Sequence, residues 1–198
     1  SDLLRNRKLI GACSVVSAYF VFIGAFESVW ILDMDHRGAS QWQIGVTVTC
    51  VALPIAVLAP WGGSLAQRYG SRRWALAMIT ACSIFNALFG LVPGLWALVF
   101  LTVGCGFAEG IGFPSGTMLV SSSVPESRQA AAQGLASAIE VGTAALVALG
   151  LAVVYTTVGH TVAYLVASGA MLVLLSVGWK LTIGIGGPES KMIESSAE

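Results

Sequence analysis

Polar and charged side chains fall in short clumps along this chain, and between the clumps run apolar stretches of roughly 20 residues, the length a helix needs to cross a bilayer core. Six such runs stand out, at residues 9–32, 44–66, 74–92, 95–120, 130–155 and 161–183. The connections at 33–43, 67–73, 93–94, 121–129 and 156–160 are too short to hold a separate domain. The pattern predicts an all-α membrane protein, a single six-transmembrane-helix bundle over residues 1–183. A mobile, Gly-, Ser- and Glu-rich cytoplasmic tail is expected at 184–198. The basic stretch from Arg5 to Lys8 resembles the start of a signal peptide, but the apolar run after it is too long and has no small-residue cleavage site, so it is read as the first span.

Composition supports lipid as the solvent. The chain is 56% hydrophobic and 10% charged, where a soluble domain carries about 25% charged residues. A chain so apolar is not disordered either. Ten basic and ten acidic residues cancel, and no basic stretch interleaves with aromatics, so nucleic acid is not expected as a partner. Distribution matters more than the sum. Nine of the ten basic residues lie on one side of the predicted bundle: Arg5, Arg7, Lys8, Arg68, Arg72, Arg73, Arg128, Lys180 and Lys191; the other side holds Arg37. Positive charge resists translocation, which puts both termini in the cytoplasm. Cys13, Cys50, Cys82 and Cys105 each sit alone in an apolar run and read as small core residues. The chain begins at Ser1 without a methionine, as expected of a processed product or an excised part of something longer.

Small residues crowd the span interiors, among them Gly106 and Gly110, Gly112 and Gly116, and Gly134, Gly142 and Gly150. Between helices in lipid, close backbone approach at such positions supplies much of the packing. Pro54, Pro60 and Pro114 interrupt their spans and predict bends.

The most specific feature is the turn Gly63-Ser64-Leu65-Ala66-Gln67-Arg68-Tyr69-Gly70-Ser71-Arg72-Arg73 between the second and third spans. It resembles the signature loop of the major facilitator superfamily, Gly-x-Leu-Ala-Asp-Arg-x-Gly-Arg-Arg, through Gly63, Leu65, Ala66, Arg68, Gly70, Arg72 and Arg73. Physically, Gly63 is expected to let helices touch and Gly70 to allow the tight turn, with the arginines anchoring at headgroups and pairing with acidic groups or helix C-termini. Gln67 stands where the family has an acidic residue that pairs with an arginine and a helix N-terminus to hold the cytoplasmic side closed; glutamine supplies no charge for that latch. A second stretch, Pro125 to Gly134, resembles the family's Pro-x-x-x-Arg-x-x-x-x-Gly segment at Arg128 and Gly134, and the leader Leu3 to Lys8 resembles the approach to a seventh helix. The resemblance implies half of a twelve-span fold, the C-terminal six-helix half, whose partner is the missing N-terminal six-helix half or a second copy. It implies a small-molecule substrate and residence in a bilayer, expected to be a bacterial inner (plasma) membrane.

Glu27, Glu109 and Glu140 lie within spans. A charged group near the bilayer centre costs at least about 2.5–3.5 kcal/mol, so such residues face a cavity or a partner. Counting about 1.5 Å per residue, Glu109 and Glu140 both fall near the midplane and Glu27 nearer the outer surface, at the lip. No arginine or lysine lies at midplane depth, so the neutral, protonated form is expected there. Carboxyl groups whose proton occupancy changes with access are what proton coupling requires. In the family, the first and fourth spans of each half line the central cavity, which implies that Glu27 and Glu109 face it. Tyr19, Phe20, Trp30, Phe107 and Phe113 are candidates to line a substrate path, while Trp30, Trp42, Trp61, Trp74, Trp96 and Trp179 near span ends fit an interfacial belt. Asn86 is expected to bond across helices.

Other functions fit less well. Phe113-Pro114-Ser115-Gly116 carries the Ser-Gly of an intramembrane serine protease, but the late histidine, His160, falls in an outer loop. His36 and His160 are far apart in sequence and the cysteines have no helical companions, so no metal or cofactor is expected. A non-transporting scaffold or assembly subunit built on the same half-fold is the alternative. The reading that follows is one half of a secondary active transporter, moving a small organic solute by alternating access, with proton-coupled efflux.

Overall fold

The computed structural model describes residues 3–185; most of the expected tail, 186–198, lies outside the described residues. Six long helices account for the architecture, and the described residues contain no strand. They are α1 (Arg7–His36), α2 (Gln41–Tyr69), α3 (Ser71–Leu91), α4 (Leu95–Ser121), α5 (Gln129–Val158) and α6 (His160–Leu181), all long and apolar enough to cross a membrane.

Most of the helices overrun the apolar stretches, and the reason is physical. Hydropathy marks the part of a helix that lies in hydrocarbon, whereas the backbone ladder continues through polar ends such as Asp33–His36 and Gln67–Tyr69. Three connections shrink accordingly. The α2–α3 turn is Gly70 alone, at φ +97°, and the α5–α6 turn is Gly159 alone, at φ +106°; both lie in the region glycine tolerates and other residues avoid. The α1–α2 link is four residues, ending at Ser40, whose backbone N–H donates to the Gln43 side chain at 2.8 Å. Asn6 caps α1 by accepting from the N–H groups of Lys8 and Leu9, and its amide donates to the Ser123 carbonyl, tying the leader to the α4–α5 connection.

Helices α2, α4, α1 and α5 stand in a row, with α3 packed behind α4, α6 behind α1, and α3 against α6. α1 is the most enclosed span; α2 and α5 are the least. The α2–α4 contact is built on glycine. A Cβ on Gly106 would meet the Val51 carbonyl at 2.5 Å, and one on Gly110 would meet Leu58 and the Pro54 carbonyl near 3 Å. Reciprocally, a Cβ on Gly62 would strike the Gly110 carbonyl at 2.7 Å. Pro114, four residues on, removes that carbonyl's intrahelical donor. Here the structure corrects the sequence reading: Gly62, not Gly63, lets the helices touch, because Gly63 has no neighbouring atom within 4 Å. Gly134, Gly142 and Gly150 likewise face open space.

Polar side chains stitch the second layer to the first. Asn86 donates to the Tyr164 carbonyl and the Ser168 hydroxyl, Ser83 to the Ser168 carbonyl, and Ser14 to the Leu174 carbonyl. Trp30 departs from the expected belt. Its ring is fully buried, its indole N–H donates to Thr47 at 3.0 Å, and it stacks on Phe26, while Trp42, Trp61, Trp96 and Trp179 are exposed.

Candidate functional site

Midway along α4, Glu109 projects into the bundle and is 2% exposed. Its Oε2 accepts the Tyr19 hydroxyl of α1 at 2.8 Å, and its Oε1 lies 3.6 Å from the Cys105 thiol one turn back on α4. Among the described residues no arginine or lysine pairs with it. Residues 105 and 109 share a helical face by their spacing, so the cysteine does have a helical companion, contrary to the sequence reading. Around the hydroxyl stands a layer of rings: Phe113 lies 5.4 Å from Tyr19 by centroids, Phe20 5.5 Å from Tyr19, and Phe20 6.3 Å from Phe113. Glu109 therefore does not open onto a cavity as the family pattern implied. It faces the space between α1, α3 and α4, with Tyr19 and the phenylalanines in front of it.

Beyond Phe113 a cleft of about 640 Å³ opens between α2, α4 and the start of α5. Gly63, Gln67, Thr117, Ser121 and Gln129 line it together with Phe113. Gln67 of the signature turn and the first residue of α5 thus border one space. Gln133 ties α5 to α4 by donating to the Thr117 carbonyl and the Ser121 hydroxyl. Gly63 contributes here by its smallness toward open space rather than by helix contact.

The other two carboxylates stand apart. Glu140 lies on the face of α5 that meets α1, 9% exposed, within electrostatic reach of Cys13 and without a hydrogen-bond partner among the described residues. Glu27 is exposed on a π-helical stretch of α1, Phe26–Trp30, eight residues beyond Tyr19. Ser28 donates to the Gly24 carbonyl at 2.7 Å, supplying a partner where the wider turn shifts the ladder. The three glutamates are not gathered into one site.

At the signature turn the arginines divide their tasks. Arg72 donates from Nε to the Thr182 hydroxyl and from a terminal nitrogen to the Trp179 carbonyl, both at 3.0 Å, and lies 4.8 Å from the Trp179 ring. It closes the C-terminus of α6, where carbonyls lack intrahelical donors. Arg68, Arg73 and Arg128 are exposed.

Sequence reasoning placed Asp33 in a loop and overlooked it. It is 1% exposed in the last turn of α1 and pairs with Arg37 Nε at 3.0 Å. Arg37 also donates to the Val92 carbonyl at 2.8 Å and the Phe89 carbonyl at 3.4 Å, capping α3 as Arg72 caps α6. The four-residue spacing of Asp33 and Arg37 was the available signal. Both histidines border the same cavity of about 330 Å³, with Asp33, Arg37 and Tyr155, so their distance in sequence is not a distance in space. Even so, among the described residues no group of three His, Cys, Asp or Glu side chains is arranged to hold a metal. Ser115 is fully buried and donates to the Ile111 carbonyl of its own helix, and His160 lies at the N-terminal end of α6.

Comparison with known proteins agrees with this architecture. The family model of the Major Facilitator Superfamily matches residues 2–193. The multidrug resistance protein MdtG of Dickeya zeae (strain Ech586) is 29% identical over 137 residues, covering 68% of this chain and 33% of that protein. MdtG of Yersinia enterocolitica serotype O:8 is 26% identical over 128 residues, 63% of this chain and 30% of that protein. The probable sulfoacetate transporter SauU of Cupriavidus necator is 24% identical over 150 residues, 76% of this chain and 34% of that protein. The match spans about a third of the length of these curated relatives. With six apolar helices forming one half of the family's fold, and the family model matching nearly end to end, the chain belongs to the major facilitator superfamily.

Proposed function

We propose that this chain is the C-terminal half of a secondary active transporter that exports a small organic solute by alternating access, coupled to protons through Glu109. The observation that carries the reading is the Glu109 carboxyl itself: near the midplane, held by a tyrosine hydroxyl and a thiol, paired with no cation among the described residues, and set behind an aromatic layer at the end of an open cleft. A carboxyl that gives up its proton when Tyr19 swings away, and regains it when the layer closes, converts a change of access into a change of charge. Glu140, also unpaired, is the second proton-accepting candidate, and Glu27 serves at the lip.

The export direction rests on the MdtG relatives, which are named multidrug resistance proteins. The basic leader and the degenerate signature loop, with Gln67 at the acidic position, favour the C-terminal half. Exposed apolar residues on α2 and α5, including Leu53, Val57, Trp61, Leu146 and Leu149, suit contact with the other half or with lipid. The exposed basic residues Arg68, Arg73 and Arg128 suit a cytoplasmic face, with both termini on that side of a bacterial inner membrane. In this scheme Gly63, Gln67, Arg68, Gly70, Arg72, Arg73 and Arg128 form the conformational hinge region, working without an ionic latch at Gln67.

The test is Glu109→Gln in the complete protein, reconstituted into vesicles with an imposed pH gradient. Gradient-driven transport is expected to be lost while substrate exchange and folding persist. Transport that still follows the gradient would remove Glu109 from the coupling; loss of exchange together with gradient-driven transport would make it a packing residue.

A further inference from the structure

Between the ends of α3 and α6 that flank the signature turn lies a groove of about 570 Å³. Leu76, Ala77, Leu172 and Leu175 form its walls. Two hydroxyls also border it, but each is satisfied within its own helix: Thr80 donates to the Leu76 carbonyl at 2.6 Å and Ser176 to the Val173 carbonyl at 2.7 Å. The wall therefore behaves as apolar. Its rim does not. Arg73, third residue of α3, and Trp179, near the end of α6, both border the groove. Neither side chain has a hydrogen-bond or ion-pair partner among the described residues; the Trp179 ring is steadied by the Arg72 guanidinium at 4.8 Å. Among the described residues that border the groove, the free donors are one full positive charge and one indole N–H, with no carboxylate to compete.

The depth of these groups decides what fits. Arg73 and Trp179 sit at helix ends, where arginine and tryptophan meet the headgroup layer, while Leu172 is seven residues deeper than Trp179, about 10 Å down the helix. A ligand that complements the whole groove has an anionic oxygen cluster at one end and a saturated chain at the other. A soluble anion would leave the wall empty, and a zwitterionic lipid would bring its own cation toward Arg73. We propose that this groove is a binding site for an anionic phospholipid of the leaflet bordering the α2–α3 turn, its phosphate held by Arg73 and the Trp179 indole and one acyl chain lying along Leu76, Leu172 and Leu175.

The complete protein, purified from mixed micelles holding equal phosphatidylglycerol and phosphatidylcholine, is examined by native mass spectrometry for retained lipid. Wild type is expected to retain phosphatidylglycerol about fivefold over phosphatidylcholine, the ratio corresponding to one basic residue near an anionic surface. Arg73→Gln should bring the two lipids to parity, Arg73→Lys should keep most of the preference, and Arg128→Gln, which removes a charge elsewhere, should leave it unchanged. Ala77→Trp, which fills the groove while keeping Arg73, should lower retention of both lipids and serves if Arg73→Gln does not fold. Equal retention by wild type, an Arg73→Gln variant with the wild-type preference, or an Ala77→Trp variant with undiminished lipid would each overturn the proposal. The last of these would place the bound lipid elsewhere, with protein covering the groove.

Discussion

Replacing Tyr19 by phenylalanine removes a single oxygen from the centre of the candidate site. The ring contacts to Phe20, Phe22 and Phe113 survive the change, so its cost isolates the 2.8 Å bond to Glu109. Glu109 would keep the Cys105 thiol at 3.6 Å, a weak donor. A buried acceptor left short of a partner costs about 1–3 kcal/mol in soluble proteins. Inter-helix bonds in membranes measure less, averaging about 0.6 and reaching about 1.7 kcal/mol, because the unfolded chain in lipid also finds partners. With both residues nearly sealed, at 7% and 2% exposure, the upper part of that range applies. Tyr19→Phe is therefore expected to cost about 1–2 kcal/mol. Glu109→Met strands the hydroxyl instead, and the double variant, apolar on both sides, should recover part of the loss. The assay is reversible unfolding in mixed micelles by dodecyl sulfate, followed by far-ultraviolet circular dichroism, on wild type, both single variants and the double. A coupling of about 1 kcal/mol is expected. Additivity within about 0.3 kcal/mol would mean that the two groups do not interact in the bilayer, and the gating role of Tyr19 would fall with the bond.

Further expectations can be read by the same titration. Gly106→Ala drives a Cβ to 2.5 Å from the Val51 carbonyl and should cost about 1–3 kcal/mol, whereas Gly63→Ala, with no atom within 4 Å, should stay within about 0.5 kcal/mol of wild type; equal effects would refute the α2–α4 contact. Gly70→Ala forces a side chain onto φ +97° and should cost about 1–2 kcal/mol, visible as an earlier unfolding midpoint. Arg72→Lys cannot reproduce both donor contacts and the stacking on Trp179, and should lose about 1–2 kcal/mol; an unchanged midpoint would show that the α6 cap contributes nothing.

What the sequence made legible follows from what hydropathy measures. Six apolar runs suffice for six spans because a bilayer core has one thickness, and a chain with Arg68, Gly70, Arg72 and Arg73 in one turn carries its family mark locally. Hydropathy does not separate a residue facing lipid from one facing protein: Trp30 is fully buried and Leu146 is 74% exposed, though both are apolar and both lie in spans. The same limit exchanged Gly63 for Gly62, since which of two adjacent glycines meets α4 depends on a rotation of about 100° that only the packed helix fixes. Glu109 was visible by depth, but its partner lies 90 residues away on another helix. Asp33 was hidden for the opposite reason: its helix continues past the apolar run that announced it.

The wide turn at Phe26–Trp30 has a bearing on everything that follows it in α1. Five residues occupy what an α-helix fills with fewer, so the remainder of the segment is rotated by roughly 100° and shifted by one position relative to an uninterrupted α-helix. That offset aims Trp30 at Thr47 and Arg37 at the carbonyls of Phe89 and Val92. Deleting one residue from the turn would regularise the helix and move every later residue back one place in sequence, so Trp30 and Arg37 would keep their seats against both neighbours, whereas a deletion elsewhere in α1 would swing the residues on one side of it by about 100° out of register.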